Sequence, residues 1–148
     1  SWGTDRLNPD GMQGFVNPGR FTFVAPLRPE DVLWSMEEVL RSGMVPLVVA
    51  DIPAPPGLTA VRRMHLAAET GATEGSETPT GLLLTPGDGG APGIETRWRM
   101  QADHGKARSR WQLCRLRART APVQNWHVSG LPGTACVSPM RESQTRSA

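Results

Sequence analysis

Tyrosine is absent from these 148 residues and phenylalanine occurs three times, so five tryptophans must supply most of the aromatic packing. Only two cysteines are present, Cys114 and Cys136, in unlike contexts. They make neither a disulfide framework nor a zinc site, which points to a reducing, cytoplasmic setting. No apolar run approaches the roughly 20 residues that span a bilayer, and no segment is built like a signal peptide. His65, His104 and His127 have no ligand-like spacing to one another or to the cysteines. A Gly-x-Ser-x-Gly elbow is missing, and no positioned acid–base pair stands out. These absences lead us to expect a non-enzymatic chain without metal or cofactor.

The hydrophobic fraction is 38%, and glycine plus proline make up 30 residues, a loop-rich balance. The length suits one domain, which we place at residues 1–128, followed by a disordered tail at 129–148. The chain begins Ser1-Trp2-Gly3 and is expected to be a fragment or to start elsewhere. A net charge of +2 conceals a sharp division. Residues 1–95 carry six Arg against twelve acids, net −6, whereas residues 97–119 carry seven Arg and Lys106 against Asp103 alone, net +7. Such polarity suits a partner or nucleic acid, or simply a solvated sheet face.

The chain is organised around Val45–Asp51, an apolar, β-branched run that ends on a carboxylate. Its brevity, with Gly43 before it and a proline loop after it, reads as a strand buried on both faces of a parallel sheet. Upstream, Phe21–Ala25 reads as another strand. Between them, Pro29 to Ser42 reads as a helix. Val32, Leu33, Met36, Val39 and Leu40 form one stripe, Glu30 and Asp31 suit the first turn, and Gly43 supplies a left-handed stop. Thr59 can cap a second helix running to Thr70, with Gly71 ending it and Val61, Met64 and Ala68 on its buried stripe. Gly81–Thr85 is a third apolar strand, completing β-α-β-α-β. Then Glu95–Met100 and Arg110–Arg119 alternate apolar and basic residues as an antiparallel hairpin. Trp111 and Leu113 are odd in number while Cys114, Leu116 and Ala118 are even, so a β-bulge is expected near Leu113-Cys114. Gln124–Val128 adds a last strand.

Gly14 to Arg20 mimics the spacing of a P-loop, but it precedes a strand, Arg20 stands for the lysine and Phe21 for the metal-binding hydroxyl. Gly87-Asp88-Gly89-Gly90 follows a strand but leads into no helix that would hold an anion. Asp51, at a strand's carboxyl end, suits either a metal-bound water or an Asx turn. Arg115, Arg117 and Arg119 fall on one face of a regular strand, with Arg97 and Arg99 likewise on its neighbour, a ladder able to neutralise phosphates. By parity Trp98 and Trp111 fall on the core side and are poor candidates for base stacking.

The order of these elements resembles the later two-thirds of a RecA-like core, and specifically the bacterial ImuA family, related to RecA and to the cell-division inhibitor SulA. The likeness spans residues 6–128. It rests on Phe21–Pro26, Pro29-Glu30-Asp31, Leu33–Glu38, Arg41-Ser42-Gly43 and Leu47–Asp51. It continues through Leu58–Arg63, Leu66–Glu69, Gly81–Thr85, Glu95–Trp98 and Arg117–Pro122. The resemblance implies a partial RecA-like α/β core and a role in the SOS response to DNA damage, in translesion synthesis and mutagenesis. The implied partners are an ImuB-type adaptor polymerase and an error-prone replicative-type polymerase; auxiliary DNA contact is expected from the charge of the arginine hairpin, apart from the resemblance. By the same likeness Asp51 matches the Walker B position and Thr85 the nucleotide-sensing strand end. Because no P-loop is present, the implied role is non-catalytic, acting through protein–protein contact. ATP and Mg²⁺ enter only in the alternative of an ATPase whose P-loop lies upstream. Kinship to SulA leaves inhibition of cell division as a third reading.

Overall fold

The computed structural model describes residues 7–105, 109–130 and 134–140. Along the chain come α1 (Pro9–Met12), a 3₁₀ turn (Pro18–Arg20), α2 (Pro29–Ser42), β1 (Leu47–Asp51), α3 (Leu58–Glu74) and β2 (Thr80–Leu84). Then follow β3 (Thr96–Ala102), β4 (Arg110–Ala118), β5 (Gln124–Ser129) and β6 (Cys136–Pro139). They group into two compact units. One holds residues 21–94, the other residues 7–20 and 95–140.

In the first unit, α2 has the boundaries that its sequence signals dictate. Pro29 occupies the first turn, where a missing N–H costs nothing, and Glu30 and Asp31 face the positive end of the helix dipole. Gly43 closes it with φ 56°, its N–H donating to the Leu40 carbonyl at 3.2 Å. Met36 and Leu40 enter the core with Ala50, Val61, Met64, Ala67 and Ala91, and Val32 and Leu33 pack against that cluster.

α3 departs from its expected limits. Gly57, with no side-chain cap, precedes it, and the helix runs through Gly71 to Glu74. Gly71 is there for contact rather than termination. A Cβ on it would lie 2.0 Å from the Leu40 carbonyl oxygen, and one on Gly43 would lie 2.1 Å from the Gly71 oxygen. The two helices therefore touch backbone to backbone near their C-terminal ends. Side chains at either position would force them apart.

β1 and β2 run parallel and are joined through α3, with Leu47 opposite Thr80 and Asp51 opposite Leu84. Val48, Ala50 and Leu83 turn toward the helices. The other face is bare: Leu47, Val49, Leu82 and Leu84 are 53%, 47%, 44% and 46% exposed. The expected sheet covered on both faces is thus overturned, because α2 and α3 both pack on the Ala50 side. Phe21–Ala25 also fails as a strand. It pairs with nothing among the described residues, and Phe21, Phe23 and Val24 are exposed. Its aromatic residues have strand propensity, yet a strand exists only where a neighbour supplies the ladder. Phe21 stacks on Phe23, ring centroids 6.1 Å apart. The parallel part is therefore two-stranded, and the expected β-α-β-α-β reduces to α-β-α-β.

In the second unit, Asn8 caps α1 by accepting the Asp10 N–H at 2.9 Å, and Asn17 does the same for Gly19 at the 3₁₀ turn. Among the described residues the Gly14–Arg20 segment lies between α1 and α2 with no strand next to it, so its P-loop likeness ends at spacing. The four strands form one antiparallel sheet in the order β3-β4-β5-β6. β6 lies in the stretch expected to be a disordered tail. It is held by pairing with β5, from Trp126–Pro139 to Ser129–Cys136, and residues 141–148 lie outside the described ones.

Candidate interaction faces of the antiparallel sheet

Alternation along β3, β4 and β5 divides this sheet into two chemically different faces. A β-bulge makes the division. Arg97 lies opposite Arg117 while the next residue, Trp98, lies opposite Arg115, so Leu116 is the extra residue of β4. The bulge was expected near Leu113-Cys114 and falls two residues later. That shift changes which side chains share a face. Cys114 joins the basic side, and Arg115 leaves Arg117 and joins the tryptophans.

On the aromatic face, Trp98 of β3 and Trp126 of β5 lean across β4 with centroids 5.6 Å apart. The Arg115 guanidinium sits 5.7 Å from the Trp98 ring centroid and 5.2 Å from that of Trp126. Arg115 Nε donates to the Pro122 carbonyl at 2.9 Å, fixing the group in place. Such cation–π contacts are worth about 0.5–1 kcal/mol each when exposed. At the hairpin end, Trp111 meets His104 edge to face at 5.0 Å. Trp98, assigned to a core side by parity, is 43% exposed.

The opposite face carries Arg97 across from Arg117, Arg99 across from Cys114 and Asn125, and Gln101 in line with Gln112, His127 and Ser138. Arg97 Nε and His127 Nδ1 are buried without a hydrogen-bond partner. The two acids bordering the sheet are engaged at its ends. Glu95 pairs with Arg119 at 2.6 Å, and Asp103 Oδ2 pairs with Arg110 Nε at 2.7 Å. The Arg110 hydrogen bond holds the Asp103 carboxyl below its ordinary value of 3.8, against the opposing loss of hydration and with help from the Arg110 charge and Gln112. His104 Nδ1 accepts the Arg110 N–H at 3.1 Å, closing the hairpin end. Of the five arginines expected to form one ladder, then, Arg97, Arg99 and Arg117 share a face. Arg115 lies behind them, and Arg119 pairs beyond the last ladder residue.

In the first unit, Asp51 ends β1 beside Leu84, and Thr85 follows directly on β2, with Ile52 N–H donating to the Leu84 carbonyl at 3.0 Å. The two expected nucleotide-site positions thus stand at neighbouring strand ends, Asp51 exposed and Thr85 half-buried. The Gly87–Gly90 turn that follows leads to no helix.

Sequence reasoning missed Glu37. It is buried on α2, with Oε1 2.6 Å from Arg41 and Oε2 2.7 Å from Arg63 of α3. It borders a groove of about 240 Å³ that Trp34, Leu33 and Met64 also line. The i, i+4 spacing of Glu37 and Arg41 was the available signal. With both oxygens engaged by cations, this carboxylate is a brace between helices.

Among the described residues no group of three or more His, Cys, Asp or Glu is placed to hold a metal, and no helix is long and apolar enough to cross a membrane. Comparison with family models, with curated proteins and with solved structures finds no match to this chain.

Proposed function

We propose that the chain is a non-catalytic accessory protein of damage-induced translesion DNA synthesis, of the ImuA kind and cytoplasmic, that works by binding other proteins. The reading rests on the ordered resemblance of its segments to a partial RecA-like core. The observation that carries it in three dimensions is the β1-α3-β2 unit, which sets Asp51 and Thr85 at adjacent strand ends and is followed in the chain by a basic antiparallel hairpin. The bare apolar face of Leu47, Val49, Leu82 and Leu84 supports binding by contact, since contiguous exposed apolar surface favours association. An ImuB-type adaptor polymerase and an error-prone replicative-type polymerase are the partners this reading names. Co-purification of the tagged chain with the adaptor from damaged cells tests it, and failure of the two purified proteins to associate would refute it. The non-catalytic part has its own test. Tight magnesium-dependent ATP binding by these 148 residues would replace it with the ATPase reading.

A further inference from the structure

From the chemistry of the Arg97/Arg117 face we infer a binding site for single-stranded nucleic acid, independent of any protein partner named above. The strands set two arginines directly opposite each other in register, Arg97 on β3 and Arg117 on β4. Like charges in that position destabilise a sheet. Neither arginine has a carboxylate partner among the described residues, since Glu95 and Asp103 are engaged by Arg119 and Arg110. Arg97 Nε is moreover buried without an acceptor. An anion between the two side chains would relieve the repulsion and use the fork geometry of the guanidinium, which matches phosphate oxygens.

The rest of the face decides what carries that anion. Gln101, Gln112, Asn125 and His127 follow the arginine pair toward the hairpin end, and the first three are exposed. Amide side chains both donate and accept hydrogen bonds, so they suit base edges, whereas an acidic peptide would call for cations throughout. A duplex fits poorly. Four strands at about 4.8 Å spacing place the outer strands about 14 Å apart, wider than the roughly 12 Å major groove. A single strand can lie flat across the sheet, its phosphates at Arg97 and Arg117 and its unpaired bases over the amides, with guanidinium planes available for stacking. The tryptophans, on the reverse side, take no part.

The bulge makes this testable, because it separates two neighbouring arginines. Fluorescence anisotropy with labelled oligo-dT of 20 nucleotides, read across a salt series, is the measurement. Arg97→Gln/Arg117→Gln should weaken binding at least tenfold and flatten the salt slope by about 1.4, two phosphates at about 0.7 each. Arg115→Met, which keeps an aliphatic chain against the tryptophans, should bind within twofold of the parent. The double variant removes a repulsion, so its thermal midpoint should not fall, which separates lost binding from lost folding. Equal losses from Arg115→Met and the double variant would overturn the proposal. So would absence of oligo-dT binding at low salt, tighter binding of duplex than of single strand, or displacement of oligo-dT by polyglutamate at equal charge concentration. None of these outcomes bears on association with the adaptor polymerase, so the two readings stand or fall separately.

Discussion

Gly71→Ala is the sharpest probe of the first unit. In an ordinary helix the substitution stabilises by about 1 kcal/mol, because alanine gives up less backbone freedom on folding. Here the new Cβ would lie 2.0 Å from the Leu40 carbonyl oxygen, against an ordinary contact of 3.4 Å or more. The obstruction is backbone, so no rotamer relieves it, and α2 and α3 must part by roughly 1.4 Å along that line. A gap of about 1 Å forfeits a quarter to a half of each dispersion contact, and the interface includes Met36, Leu40, Val61, Met64 and Ala67. Overpacking of about 3 kcal/mol, less the helix gain of about 1, leaves a net loss of roughly 2 kcal/mol. For a unit of this size that lowers the melting midpoint by roughly 8–16 °C. Circular dichroism at 222 nm is the readout, because the two long helices both lie in this unit. Gly81→Ala is the control. Its Cβ would crowd the Met36 methyl at 2.7 Å, the free end of a flexible side chain, and touch Leu40 at ordinary distances of 3.4 and 3.6 Å, so it should cost less than about 1 kcal/mol. A Gly71→Ala midpoint equal to or above the parent's would refute the close approach of the two helices.

Other substitutions test the remaining features. Glu37→Gln removes the charge that Arg41 and Arg63 share. Because both arginines are about half exposed, we expect a loss of about 1–2 kcal/mol, below that of a fully buried pair, read from urea denaturation. Asp103, whose folded pKa is depressed, contributes stability above its unfolded value, and that contribution disappears as pH falls through the lower folded value. Parent and Asp103→Asn should therefore differ in hairpin stability at neutral pH and converge in acid, followed by NMR of the β3–β4 amides; a pH-independent difference would contradict the Arg110 pairing. Trp98→Ala should shift the Trp126 fluorescence and lower stability by about 1–2 kcal/mol through lost stacking and cation–π contact. Val49→Thr with Leu82→Thr should leave stability within about 1 kcal/mol and weaken association with the adaptor polymerase in a pull-down, since both side chains lie on the bare face.

What the sequence showed plainly was what local chemistry decides. α2 could be read to the residue because Pro29, the acids after it and the left-handed Gly43 act within one or two turns. β1 and β2 were legible as short apolar runs between turns. What escaped depends on partners distant in the chain. Phe21–Ala25 has a strand's composition but no ladder beside it, and β6 has no pattern of its own yet pairs with β5. Gly71 reads locally as a helix stop, and only the Leu40 carbonyl explains why the helix continues through it. The same holds for the candidate site. Parity demanded a bulge but could not place it, because several positions restore the alternation equally well. Its true position decides that Arg117 joins Arg97 and Arg115 does not.

The supernumerary Leu116 has a wider implication for how such a surface can vary. Removing its codon would restore strict two-residue alternation yet leave Arg117 next after Arg115, and so still across from Arg97. Drawing Leu116 into the ladder would do the opposite: Leu116 would face Arg97, Arg117 would slide across from Thr96 on the tryptophan side, and the paired cations would be dissolved without any arginine being lost. The electrostatic character of this strand end is thus governed by whether one residue is looped out, so comparisons between variants of this protein should weigh changes that keep or lose the loop above any nearby exchange of side chains.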